Sequence, residues 1–284
     1  MRQFLSESAS FIGFSSRGGV IVQIYTRAAL DQALQHLNLP RGALLLIHTA
    51  LYAPGRMEGV PLAEISSRLY ASLRRRIGAE ATLVVPTFHG AFARGEVFDR
   101  QYTPATGMGS FAEYLRLLPN SRRSPHALHS LAADGPLAEA IATRDTPSAF
   151  GEGSPFDSLI AYDARLLMFG CSVEVSCMIR WAEERVGVPY RRWLICRGRY
   201  VDAGIERMRS FHTYAGEDGR EPALCLTPVK RLLLDRGQLQ RADLGSSSLE
   251  SCRARDFVAA ATEILHRDPR ALLTRRSTDG ARRP

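Results

Sequence analysis

The chain has 284 residues, 45% hydrophobic and 23% charged, with 37 basic against 29 acidic side chains and a net charge of +8. That is an ordinary globular composition, long enough for one large α/β domain or two small ones, and no apolar run approaches a membrane span. Five scattered cysteines without a Cys-x-x-Cys pair argue against a disulfide framework or a zinc site, and a reducing cytoplasm is the default compartment. Much of the positive excess is local, in Arg74-Arg75-Arg76 at a predicted helix end and in Arg270, Arg275, Arg276, Arg282 and Arg283 near the C-terminus. It reads as solvated surface charge, with no basic-aromatic module pointing to nucleic acid.

Residues 1–22 read as a flexible extension, 23–268 as one α/β domain and 269–284 as a basic flexible tail. From Thr26, a plausible N-cap, Ala29, Leu30, Ala33, Leu34 and Leu37 recur at helical spacing. Ala43 to Ile47 is a continuous apolar run, the mark of a strand buried on both faces, and it ends in His48-Thr49. A helix from Pro61 to Ile77 is closed by Gly78, and Thr82 to Val85 is a second buried strand ending in Pro86-Thr87-Phe88. A long loop to Gly109 follows, carrying His89 and Asp99. Ser110 to Glu113 has the form of a capping box opening a helix to about Leu118. A helix from Pro136 to Ala142, an N-cap at Ser154-Pro155, a third buried strand from Arg165 to Phe169 and a helix from Ser172 to Val186 come next. Strands over 193–201 and 209–214, a helix over 229–235, a strand near 238–242 and a closing helix over 249–265 complete the chain. Strand-helix-strand order predicts a mixed, largely parallel central sheet flanked by helices, with sites gathered at the carboxyl ends of its strands.

The stretch Arg122-Arg123-Ser124-Pro125-His126-Ala127-Leu128-His129-Ser130 sets two arginines, two histidines and two serines around a proline, just before the apolar Leu131-Ala132-Ala133. Pro125 biases Ser124 toward extended backbone, so the histidines are placed where a loop meets a strand. Histidine is the side chain suited to proton exchange near neutral pH. His126 is the candidate base, whereas His129 and His89 read as hydrogen-bonded imidazoles of polar loops. Arg180 can pair with Glu183 or Glu184 on its own helix.

Several of these pieces, in this order, resemble the aminoglycoside 3-N-acetyltransferase family. The resemblance rests on His48-Thr49-Ala50-Leu51 with the loop Gly55 to Gly59, on Ala81 to Phe88, on Arg123 to Ser130, on Phe150-Gly151-Glu152-Gly153-Ser154-Pro155, and on Leu166 to Gly170 followed by Cys177 to Glu183. It covers about Thr26 to Arg191. It implies an α/β fold unlike the common acetyltransferase fold with its Arg-x-x-Gly-x-Gly loop, acetyl-CoA or another acyl-CoA as co-substrate, no metal, and a small-molecule amine as acceptor. His126 is then the base and Glu183 the carboxylate that orients it or binds the amine. His48, Thr49, Thr87, Arg123 and Ser124 are the candidates for the donor side, and Arg180, Asp99 and Cys177 for the acceptor side. Departures are Ala127 for the family proline, Gly59-Val60 for paired glycines, Cys177 for threonine and Arg180 for the histidine of Thr-x-x-His-x-x-Glu. A fixed positive charge at Arg180 suggests an acceptor amine on a molecule that bears an anionic group, rather than an aminoglycoside. The alternatives are an acyl carrier protein as donor, covalent catalysis by Cys171 or Cys177, and a non-catalytic relative. A homodimer is an open assembly.

Overall fold

The computed structural model describes residues 23–216 and 220–274. The extension over 1–22, and Arg275, Arg276, Arg282 and Arg283 of the expected tail, lie outside the described residues. The elements run β1 (Ile24–Tyr25), α1 (Arg27–His36), β2 (Leu44–Thr49), β3 (Arg56–Met57), α2 (Ile65–Ile77), β4 (Thr82–Pro86), β5 (Phe98–Asp99), α3 (Ser110–Arg116), β6 (Arg122–Arg123), β7 (Leu131–Asp134), α4 (Ala138–Ala142), α5 (Pro155–Ala161), β8 (Arg165–Phe169), α6 (Ile179–Val186), β9 (Arg191–Asp202), β10 (Ile205–Gly216), α7 (Thr227–Asp235), β11 (Gln240–Leu244), β12 (Ser247–Arg253) and α8 (Ala254–Arg267).

Seven strands form the central sheet in the order β11-β12-β8-β2-β4-β7-β6. Parallel pairing is confined to β8, β2 and β4, and every other neighbouring pair is antiparallel. The three apolar runs read from the sequence are those three central strands, and alternate side chains go to opposite faces. Leu44, Leu46, Val84, Leu166 and Met168 pack with α4 to α8, while Leu45, Ile47, Leu83, Val85, Leu167 and Phe169 pack with α1 to α3. A second sheet, β10-β9-β5, closes over Phe92, Phe98, Ala127, Leu128, Tyr200 and Phe211.

Thr26 caps α1 by accepting the Ala29 N–H at 3.0 Å, and Ser154 caps α5 by accepting the Asp157 N–H at 3.1 Å, both as expected. Four readings change. Ser247–Arg253 is a strand rather than the start of the closing helix. Its sequence, Ser-Ser-Leu-Glu-Ser-Cys-Arg, has little strand character, and pairing on both sides with β11 and β8 decides it. Its buried Glu250 meets Lys230 at 2.6 Å and accepts the Val173 N–H at 2.8 Å. The helix expected from Ser172 is a 3-10 turn over Val173–Val175, with α6 proper starting at Ile179. Gly109, not a side chain, caps α3, and Glu113 instead accepts the Ala105 N–H and pairs with Arg116. Residues 269–274, expected in the tail, pack onto the domain: Leu272 is buried, and its carbonyl accepts the Cys225 N–H at 2.8 Å.

The carboxyl ends of β2, β4 and β8 lie on one edge of the sheet. Antiparallel β7 begins at that edge, since Leu131 pairs with Pro86, so residues 126–130 lie there too. Gly170 leaves β8 with φ +71, and the Ala50 carbonyl oxygen lies 2.5 Å from where a Cβ would stand. Only glycine suits both that conformation and that approach.

Candidate functional site at the carboxyl edge of the sheet

The stretch 122–130 folds as a loop laid on the end of β4. The Ser124 N–H donates to the Leu131 carbonyl at 2.8 Å, and Ser124 Oγ accepts the Leu131 N–H at 2.8 Å. The Thr87 N–H donates to Ser130 O at 2.9 Å and the His89 N–H to Leu128 O at 3.1 Å. Arg123 locks this join from inside. Its Nε donates to Thr87 Oγ1 at 3.2 Å and Ser130 Oγ at 3.0 Å, its Nη2 to Thr87 O at 2.7 Å, and its Nη1 to Thr103 O. Its guanidinium also lies 4.7 Å from the Phe98 ring centroid. Burial, then the charge of Arg116, lowers its pKa to about 9, so it stays charged at neutral pH. Arg123, Ser124 and Thr87 thus spend their polar groups on the protein, against the expectation that they hold the donor.

His126 is likewise engaged by the protein. It is 2% exposed, its Nε2 lies 3.2 Å from the His212 carbonyl and its Nδ1 accepts the His129 N–H at 3.1 Å. Both ring nitrogens are engaged by backbone, and the ring sits 4.8 Å from Phe211. Burial lowers its pKa to about 4. A ring with both nitrogens occupied has none to offer an amine. Glu183 neither hydrogen-bonds to it nor pairs with it. Asp99 is likewise a turn residue: its Oδ1 accepts the N–H groups of Gln101 at 2.8 Å and Tyr102 at 2.9 Å.

Two predicted residues do meet. The Cys177 N–H donates to His48 Nε2 at 3.2 Å, so the imidazole proton sits on Nδ1, which is buried without a partner among the described residues. Burial lowers the His48 pKa to about 4. Thr49 and Ala50 to Ala53 line a cavity of about 260 Å³ together with Gly109 and Ser110. Thr49 is therefore the donor-side candidate with open space beside it. Burial pushes the thiols of Cys171 and Cys177 up to about 12. A thiolate is the reactive form, so neither suits nucleophilic catalysis. With native protein at pH 8, iodoacetamide should label exposed Cys225 and leave both unmodified. Peptide mass mapping reads this directly, and early alkylation of Cys177 would contradict it.

The first turns of α6 carry the electrostatic core of the site. Glu183 is fully buried; it accepts the Tyr190 hydroxyl at 2.9 Å and pairs with Arg191 at 2.8 Å. Arg191 reaches Glu221 at 3.2 Å, and Arg180 reaches the same carboxylate at 2.6 Å. Arg180 therefore pairs with Glu221, brought from beyond β10, rather than with Glu183 or Glu184 on its own helix. Glu184 accepts the Ser148 hydroxyl at 2.8 Å. Burial raises the pKa of Glu183. At Glu221 burial acts in the same sense, but Arg180 and Arg191 outweigh it and hold the carboxyl below its usual range. Two arginines and two glutamates leave the cluster balanced.

Sequence reasoning passed over Tyr190, Arg191 and Glu221. Tyr190-Arg191 directly after the Gly187-Val188-Pro189 helix stop was a usable signal; Glu221 had none, because its partners lie 30 and 41 residues away. The reading of His129 as hydrogen-bonded also fails. It is partly exposed, with Phe88, Phe150 and His126 rings at 5.0, 5.4 and 5.6 Å, and neither ring nitrogen hydrogen-bonds to a described residue. Burial, then Arg180, His126 and Arg191, holds its pKa well below the usual value. No group of three metal-ligating side chains, and no helix long and apolar enough to cross a membrane, occurs among the described residues.

Comparison with known proteins places this geometry. The chain is 28% identical over 189 residues to aminoglycoside N(3)-acetyltransferase III of Salmonella sp., a match covering 60% of this chain and 64% of that relative, so under two thirds of the relative's length is spanned. It is 28% identical over 252 residues to aminoglycoside N(3)-acetyltransferase IV of Salmonella sp., covering 86% of this chain and 89% of the relative. The solved structure of AAC-IIIb in a binary complex with CoASH superposes with a TM-score of 0.75 at 21% identity, over 86% of this chain and 97% of that one, and so shares the fold. The family model for aminoglycoside 3-N-acetyltransferase matches residues 46–266, which include the carboxyl edge and the α6 cluster: the chain belongs to the aminoglycoside 3-N-acetyltransferase family.

Proposed function

We propose that the chain is an N-acetyltransferase that moves an acetyl group from the thioester of coenzyme A to a primary amine by direct attack. The observation that carries this is the meeting, at one sheet edge, of the strand ends at His48-Thr49, Thr87-Phe88 and Gly170-Cys171 with loop 126–130 and with Cys177, which leads into α6. All of them lie inside the stretch matched by the family model. The coenzyme complex of the fold neighbour supports the donor, and the names of the matched relatives support an amino-sugar acceptor.

The chemistry needs three things. The amine must lose a proton as it bonds to the thioester carbon. The thioester oxygen gains negative charge and wants fixed donors; backbone N–H groups at the strand ends are the candidates. The donor arm needs a slot, and the cavity beside Thr49 is a candidate at this edge. Glu183 serves as the buried anchor of Arg191, not as a free carboxylate.

The acceptor expectation shifts with the geometry. Arg180 is already paired with Glu221 at 2.6 Å, so its charge no longer recommends an anionic acceptor, and an aminoglycoside amine becomes the first choice. Thiol release from acetyl-CoA tests the proposal, using gentamicin-type aminoglycosides, anionic amino compounds, and a carrier-protein thioester as rival donor. Aminoglycoside-dependent release from acetyl-CoA is the expected result. Release with anionic amines alone, or with the carrier thioester alone, would overturn the corresponding half of the reading.

A further inference from the structure

We propose that His129 is the general base of this chain, taking the proton from the attacking amine at a site whose family motif carries Arg180 where a histidine is usual. The assignment rests on the acyl-transfer reading above. It begins from a deficit: an arginine side chain is no general base, and His126 and His48 each have a ring nitrogen tied to backbone. Something at this edge still has to accept a proton.

His129 is built for that. Residues 128 and 130 turn their backbone toward β4's exit, through the bonds to His89 and Thr87. The ring of His129 enters an aromatic slot walled by Phe88, Phe150 and His126. Phe150 belongs to the same apolar cluster as Met178, Ile179 and Ala182 of the α6 region. The adjoining Gly151 has its would-be Cβ position 3.1 Å from the Glu184 carboxylate, so the segment behind the slot packs closely against α6. His129 is partly exposed there, and neither ring nitrogen hydrogen-bonds to a described residue. The charges of Arg180 and Arg191 disfavour a proton on it, which keeps a lone pair ready at neutral pH. His126 becomes a positioning residue: its Nδ1 holds the His129 N–H while its Nε2 meets the hairpin at His212. The paired histidines of the 122–130 stretch thus divide into a strut and a base.

The step balances. The amine lone pair bonds to the thioester carbon, and one amine N–H proton passes to His129. Collapse of the tetrahedral adduct breaks the C–S bond, and the imidazolium returns its proton to the departing thiolate, leaving free coenzyme A and the N-acetyl product. The ammonium formed on attack is far more acidic than the free amine's conjugate acid, so a weakly basic imidazole can receive its proton.

The test compares the native chain with His129→Gln, His129→Gly and a control, His36→Gln, whose ring is exposed on α1. Acceptor-dependent thiol release should fall at least about 100-fold in both His129 variants, with coenzyme A affinity and thermal midpoint unchanged. Added imidazole should restore turnover in His129→Gly, a rescue that a merely structural histidine would not show. The control should match the native chain. His129→Gln turnover within about threefold of native, or no imidazole rescue of a folded, coenzyme-binding His129→Gly, overturns this assignment alone. A native chain without acceptor-dependent release overturns the acyl-transfer reading and this one with it.

Discussion

Glu183→Ala should lower the unfolding free energy by about 3–5 kcal/mol, the usual cost of removing one member of a buried ion pair. Glu183 is fully buried and the Arg191 side chain is 2% exposed, at 2.8 Å. Removing the carboxylate leaves the Tyr190 hydroxyl without its acceptor and Arg191 with only Glu221 and the Tyr214 carbonyl. The guanidinium stays charged, because a group with its intrinsic pKa cannot escape by deprotonating. Urea unfolding reads the loss as a lower midpoint. The double variant Glu183→Ala, Arg191→Ala should cost less than the sum of the single changes, since neither charge is then left alone. Glu183→Ala within about 1 kcal/mol of native would show that the pair is not structural, and would return Glu183 to the catalytic role that its place in the sequence motif suggests.

Acidification should destabilise the fold over the interval from about pH 6.5 to 4, well before most carboxylates titrate. In the unfolded chain His126 titrates near 6.5; in the fold burial lowers its pKa to about 4, with Arg209 also lowering it and Asp145 and the His212 and Pro147 backbone opposing. Between those values the unfolded state binds more protons, so stability falls as pH falls. Above pH 7 the histidine costs nothing; below pH 4 its cost levels off. At 1.36 kcal/mol per unit, His126 alone accounts for about 2 kcal/mol at pH 5 and about 3 kcal/mol at the plateau. His48 moves in the same direction for the same reason. Urea midpoints at pH 7.5 and pH 5 measure the effect. His126→Gln, less stable at pH 7.5 through its lost hydrogen bonds, should lose about 2 kcal/mol less on the same acidification. An equal loss in native and variant would mean that His126 keeps an ordinary pKa in the fold.

The parts legible in the sequence are those whose signal is local. Leu44 to Ile47, Leu83 to Val85 and Leu166 to Phe169 are short runs, apolar at consecutive positions, which suit a strand covered on both faces, and they form the centre of the sheet. Thr26 and Ser154 cap helices because a short oxygen-bearing side chain meets the N–H three residues on, a matter of four residues' geometry. The order of the motifs was enough to identify the family. The roles within those motifs were not legible. His126 and His129 are three residues apart and equally polar in the sequence. Only the return of the β9–β10 hairpin, which brings the His212 carbonyl to His126, makes one a strut and leaves the other open. Arg123 has the composition of a phosphate ligand, yet the loop around it consumes its donors on Thr87, Ser130 and Thr103. Arg180 shares a helix with two glutamates and pairs instead with Glu221, because local spacing offers a partner while tertiary packing selects one. The sequence by itself determined the central strands, the helices that cover them and the family. The tertiary structure alone decided which polar groups at the carboxyl edge of the sheet are spent and which are free, since a hydrogen bond or ion pair is a property of two positions, and here the second is often dozens of residues away.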